Sequence, residues 1–160
     1  MNMHEIGTAV CRLSRLGYEV LMEYLGCIGP LAGRVLLSLI FLISALGHLG
    51  DPQGTMSYML ASNFCCVRFD YVVAMIFLLA GSASLITGFH ARAGALLLII
   101  FLIPATCHMH DFWRAEGIQR SIQAAMYFKN LGLMGGLLFV IAHGSGPLSL
   151  DQWLENRKRK

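Results

Sequence analysis

Two His-x-x-Asp steps stand 60 residues apart, His48 with Asp51 and His108 with Asp111. On a helix, residues at i and i+3 share one face, so each step sets an imidazole beside a carboxylate. Histidine exchanges protons near neutral pH, and a neighbouring carboxylate fixes which ring nitrogen carries the proton. Lys129 and Asn130 add a cation and an amide suited to an anionic oxygen. These groups suit a polar head group that accepts hydrogen bonds and exchanges protons. His108 and His48 would hydrogen-bond a carbonyl, Asp111 and Asp51 would pass protons outward, and Lys129 with Asn130 would steady the reduced oxygen. The same His48, His108, Asp51 and Asp111 would suit zinc or iron if they came within coordination distance.

The two steps belong to a longer match. Residues 36–51 read LLSLIFLISALGHLGD and residues 96–111 read LLLIIFLIPATCHMHD, identical at nine of sixteen positions. Matches of Leu, Ile, Phe and Ala come cheaply between apolar helices; His and Asp do not, in a chain with six His and four Asp. A duplicated helical hairpin is expected, delivering both steps to one edge of the molecule. Single residues also have plain readings. His48 or Asp51 can be a helix-end residue among lipid headgroups, Asp111 with Arg114 a surface ion pair, and Lys129 a snorkelling lysine. His108 and His110 cannot both face one cavity unless the helix ends between them. His143 reads as a capping or packing residue.

The elements that must carry these residues are set by composition. Of 160 residues, 56% are hydrophobic and 13% charged, against roughly 25% charged in a soluble domain. Mean hydropathy is +0.63. So short a chain cannot bury that much apolar surface in water, and disorder is excluded by the same figures. Four apolar spans are expected, at Leu31–Gly50, Tyr71–Phe89, Ala93–His110 and Met126–Ile141. Their outer faces carry no charged stripe, which excludes a soluble bundle. Residues 5–28 repeat Val10, Leu13, Leu16, Val20, Tyr24 and Ile28 at helical steps, an interfacial amphipathic helix that Pro30 separates from the first span. The fold class is therefore all-α, a four-helix transmembrane bundle with an N-terminal interfacial helix. It divides into 1–30, a membrane domain at 31–150 and a basic tail at 151–160.

Orientation follows the Lys and Arg count. Arg12, Arg15, Arg34, Arg92, Arg157, Lys158, Arg159 and Lys160 fall on the side of the termini; Arg68, Arg114, Arg120 and Lys129 fall opposite. Both termini are expected in the cytoplasm of a bacterium, across its inner membrane. Residues 52–68 and 112–125 are then outer loops, and Asp70 and Tyr71 stand at the same edge. Pro104 lacks the N–H owed to Ile100, so a kink one turn before His108 should open space beneath that edge. Gly132-x-x-x-Gly136 reads as close helix packing. Cys65, Cys66 and Cys107 fall on the outer side, expected as free, partly buried thiols, with the alternative of a disulfide from Cys65 or Cys66 to Cys107 that would tie the first loop over the site.

Several pieces together carry a resemblance: Gly33-Arg34, Leu85-Ile86-Thr87-Gly88 with Arg92, His110-Asp111-Phe112-Trp113, the stretch Lys129–Leu138, and the closing His143-Gly144-Ser145-Gly146-Pro147-Leu148-Ser149-Leu150-Asp151. Over Gly33 to Asp151 the chain resembles the DoxX family of membrane proteins. The resemblance implies a four-helix transmembrane bundle. It also implies roles found among similar members: quinone-linked sulfur oxidation beside a catalytic partner, membrane redox and thiol homeostasis, or, in a eukaryotic branch, cargo reception in the secretory pathway. The Cys65-Cys66 pair and the long N-terminal segment have no counterpart in the family pattern.

No haem-attachment or iron–sulfur motif is present, so no covalent cofactor is expected, and electrons would need a bound isoprenoid quinone and a protein partner. Alone the chain is expected to be at most an auxiliary subunit of an oxidoreductase, embedded in the bilayer and without nucleic acid as a partner. The rival expectations are a His/Asp metal protein and a non-catalytic transporter or assembly scaffold.

Overall fold

The computed structural model describes residues 3–159, with side chains from residue 17 onward. Six helices follow one another: α1 (Met3–Gly50), α2 (Pro52–Ala61), α3 (Val67–Thr87), α4 (Ala91–Met109), α5 (Gly117–His143) and α6 (Leu150–Lys158). Four of them, α1, α3, α4 and α5, are long and apolar enough to cross a membrane. The all-α four-helix bundle expected from the sequence is the fold observed. Among the described residues there is no strand.

The long helices alternate in direction and pack in chain order, α1 on α3, α3 on α4 and α4 on α5, while α1 and α5 touch only sparingly. Phe41 and Ala45 of α1, Leu78 and Leu85 of α3, Leu98 and Leu102 of α4 and Leu137 of α5 fill the core. Leu36, Ile43, Phe69, Ile103, Phe128 and Phe139 point outward, as a lipid solvent allows. The α3–α4 turn is as short as expected: Gly88 caps α3 at φ +67 and His90 precedes α4 at φ +49. Behind that turn the two helices approach closely, because a Cβ on Gly81 would stand 2.6 Å from Leu98 Cγ. Gly136 likewise lets Leu37 of α1 approach; Gly132 faces open space.

Three expectations about boundaries are corrected. The segment 52–68 is not all loop, because Asp51 accepts the Gly54 N–H at 2.9 Å and Pro52 occupies the first turn, which together start α2. The fourth span begins at Gly117 rather than near Met126, so the loop expected at 112–125 is mostly helix. Lys129 and Asn130 consequently sit in the middle of α5, not in its first turn. Pro30 and Pro104 both lie inside continuous helices. Val10, Leu13 and Leu16, which carry much of the amphipathic expectation, lie outside the residues whose side chains are described, as do Cys11, Arg12 and Arg15. Val20, Tyr24 and Ile28 are exposed.

Candidate ligand site at the α2 end of the bundle

The ends of α1 and α4 meet α2 at one end of the bundle. Helix C-termini leave carbonyls without partners, and here two tyrosines supply the donors. Tyr71 Oη donates to the His48 carbonyl at 3.1 Å, and Tyr58 Oη donates to the Met109 carbonyl at 2.9 Å. These bonds fix the last turn of α1 against α3 and the last turn of α4 against α2.

His48, half-buried in that turn, is held at both ring nitrogens. Nδ1 lies 3.2 Å from Thr55 Oγ1 and Nε2 lies 3.2 Å from Ser44 Oγ. The Thr55 hydroxyl donates to the Asp51 carbonyl at 2.9 Å, so its oxygen accepts from His48 Nδ1–H. Nε2 is left as the acceptor, facing the Ser44 hydroxyl. This tautomer is assigned from the hydrogen-bond network.

The imidazole stands between two cavities. One, of about 200 Å³, is walled by Phe64, Tyr71, Phe77, Ile100 and Pro104. Pro104 and Ile100, between which the helical hydrogen bond is missing, both border it. The other, of about 230 Å³, runs between α1, α4 and α5 and is lined by Ser44, His48, Tyr58, His110, Lys129 and Asn130. Both are largely apolar, and His48, Phe101, Ala105 and Met109 border both. Asn130 is buried and donates from Nδ2 to Thr106 Oγ1 at 3.0 Å, which ties α5 to α4. His110 Nδ1 pairs with Gln123 Oε1 at 2.8 Å.

The twin histidine–aspartate steps do not share this site. His108 is exposed, its ring 5.0 Å from that of Phe64, and it borders a separate surface hollow with Cys107, Asp111 and Arg114. Asp111 pairs with Arg114 Nε at 3.6 Å, and Asp51 caps α2. The helix ends at Met109, so His110, not His108, turns toward Lys129. Among the described residues no three His, Cys, Asp or Glu side chains gather as a group that could hold an ion. Nor is the first loop tied down by a disulfide. Cys65, Cys66 and Cys107 are free and exposed, and Phe64 is the loop residue that meets α4 at His108. The Cys65 thiol, by hydrogen bonding and by its charge, pushes the Cys66 thiol above its usual range.

Ser44, Thr55, Tyr58 and Thr106 were not singled out in the sequence. Ser44 stands one turn before His48, a spacing that marks a possible hydroxyl partner; Thr55 and Tyr58 come into view only once α2 exists.

The opposite end is held by a different set. Arg34 is 1% exposed and donates from Nη1 to the Leu85 carbonyl at 3.0 Å and from Nη2 to the Leu148 carbonyl at 2.6 Å. Asp151 accepts the His90 N–H at 2.9 Å and donates its own N–H to the Gly88 carbonyl. His143 packs its ring 4.0 Å from Phe139, the packing role expected of it.

Comparison with known proteins adds three relatives. The family model for DoxX matches residues 29–111. Inner membrane protein YqjF of Escherichia coli (strain K12) is 28% identical over 136 residues, 85% of this chain and 99% of that protein. A Surfeit locus protein 4 homolog of Schizosaccharomyces pombe is 27% identical over 76% of this chain, and the ER-derived vesicles protein ERV29 of Saccharomyces cerevisiae 24% over 76%. In those two the match covers only 36% and 32% of their length. No solved structure matches the chain.

Proposed function

The chain belongs to the DoxX family of membrane proteins, and on that premise we propose that it binds an isoprenoid quinone, or an amphiphile of the same shape, at the α2 end. It is an inner-membrane protein, as its relative YqjF is named, and we place both termini in the cytoplasm on the Lys and Arg count. The observation that carries the reading is His48 standing between two apolar cavities with both ring nitrogens hydrogen-bonded.

The residues fit such a ligand. The cavity under Pro104 takes an apolar chain, and the cavity beside it offers Lys129 to a carbonyl oxygen and, once the Ser44 hydroxyl turns away from it, the Nε2 lone pair to a hydroxyl. Nε2 can take a proton while Thr55 holds Nδ1–H in place, and Ser44 can turn its hydroxyl between ring and ligand. A quinone, when bound, supplies two-electron, two-proton chemistry; the electrons come from or go to a protein partner, so the chain acts as the membrane subunit of a redox system.

Mass spectrometry of the lipids that stay bound after mild detergent extraction tests the reading. Stoichiometric quinone is the expected result. Quinone at the level of bulk membrane lipid, with protein partners co-purifying, would overturn it in favour of an assembly scaffold.

A further inference from the structure

At the end away from His48, α1 and α5 diverge, and the gap is a groove of about 490 Å³. Gly29 and Gly33 form its α1 wall, and Phe139 and Val140 line the α5 side. Nothing lies within 4 Å of the place a Cβ on Gly29 or Gly33 would take, so missing side chains set its width. The groove shares His143 and Gly144 with a hollow of about 640 Å³ of mixed lining that includes Arg92 and Lys158. A Cβ on Gly144 would stand 3.5 Å from Arg92 Nε and Nη2, which places the guanidinium at the junction of the two. The N-terminus of α4 opens beside it, without a side-chain cap from His90. Two carboxylates also border the hollow. Asp151 is already bonded to the His90 N–H, and Glu155 is exposed on α6. Arg157 lies 4.3 Å over the half-exposed Trp153 ring, an aromatic–cation pair suited to a membrane interface.

A second pointer lies deeper. Arg34 borders the groove and is almost fully buried, and its Nε–H has no partner among the described residues. Unpaired donors in apolar surroundings are costly, so a ligand oxygen there would be stabilising.

An apolar channel that ends beside the Arg92 guanidinium, with Asp151 already engaged by the His90 N–H, matches a lipid phosphate better than its competitors. A free phosphate gains nothing from the channel, and a peptide would leave backbone groups unpaired along it. We propose that this groove and hollow bind one anionic phospholipid. Its acyl chain lies along Gly29, Gly33 and Phe139, an ester oxygen accepts the Arg34 Nε–H, and its phosphate is held by Arg92 at the α4 N-terminus, with Lys158 beside it. The lipid thereby fills the gap that α1 and α5 leave between them.

The test is native mass spectrometry of the intact protein exchanged with dioleoyl phosphatidylglycerol or dioleoyl phosphatidylcholine. The expected result is one retained phosphatidylglycerol, bound about tenfold more tightly than phosphatidylcholine. Arg92→Gln should erase that preference. Gly29→Phe, which fills the groove from a position with open space around it, should abolish retention of both lipids. Glycerol 3-phosphate should not displace the lipid, and His48→Ala should not alter its retention. Equal retention of the two lipids by the unaltered protein, or displacement by glycerol 3-phosphate, would overturn the proposal.

Discussion

Tyr71 donates its hydroxyl to the backbone carbonyl of His48 at 3.1 Å, so one residue of α3 fixes the turn that carries the central imidazole. A carbonyl at a helix C-terminus has no partner of its own, and this bond supplies one. Tyr71→Phe keeps the ring against the cavity and removes only the donor. It should cost about 1 kcal/mol, seen as a lower melting temperature in detergent. An unchanged melting temperature would show that the bond contributes nothing.

The opposite end depends on a glycine. Gly88 sits at φ +67, and a Cβ there would run into the Arg34 guanidinium. Gly88→Ala therefore combines left-handed strain with displacement of a buried, doubly bonded arginine, and should cost at least about 2 kcal/mol. Gly117 is the control, because its φ is +56 with nothing within 4 Å of a Cβ. Gly117→Ala should carry the backbone strain alone, about 1 kcal/mol. Equal shifts in thermal melts of the two variants would contradict the role given to Arg34.

Cys65 and Cys66 give a pH prediction. The Cys65 thiol, as hydrogen-bond partner and as a second acidic group, raises the Cys66 thiol, with the Asp70 charge acting the same way. A raised thiol stays protonated to higher pH, so its thiolate fraction at pH 8 is smaller than that of an ordinary cysteine. Alkylation of Cys66 should therefore rise with pH later than is usual, and Cys65→Ala should move the profile back down and speed the reaction at pH 8. Mass-spectrometric rates for Cys66 across pH 7–10 measure this; a slower rate in the variant would refute the coupling.

The bundle was legible because each long helix is apolar around most of its circumference, a pattern that only lipid or a large core permits. The three-residue turn at 88–90 left α3 and α4 no arrangement but an antiparallel hairpin. The candidate site was half legible. His48 follows Phe41 and Ala45 at helical steps along one buried face of α1, so its inward direction was readable. His108 was not so constrained. Ala105 and Met109 take the cavity side of α4, and His108 falls beside that stripe, where neighbouring elements rather than period decide its exposure. Asp-Pro-x-Gly is also a helix start signal, and Asp51 does cap α2. Thr55 and Tyr58 were invisible as site residues because their segment reads as loop without that start signal. At the other end, the motifs Gly33-Arg34, Leu85–Gly88 and His143–Asp151 were recognisable as pieces, but only the tertiary structure shows Arg34 binding two of them together.

The central claim is that His48, and not His108, addresses the ligand. Titration of a short-chain ubiquinone analogue into the detergent-solubilised protein, read by calorimetry, tests it most directly. His48→Ala should weaken binding about tenfold or more, from the loss of a buried hydrogen-bonding partner, while His108→Ala and Asp111→Ala should bind as the unaltered protein does. Binding that survives His48→Ala intact, or that fails equally in His108→Ala, would contradict the account.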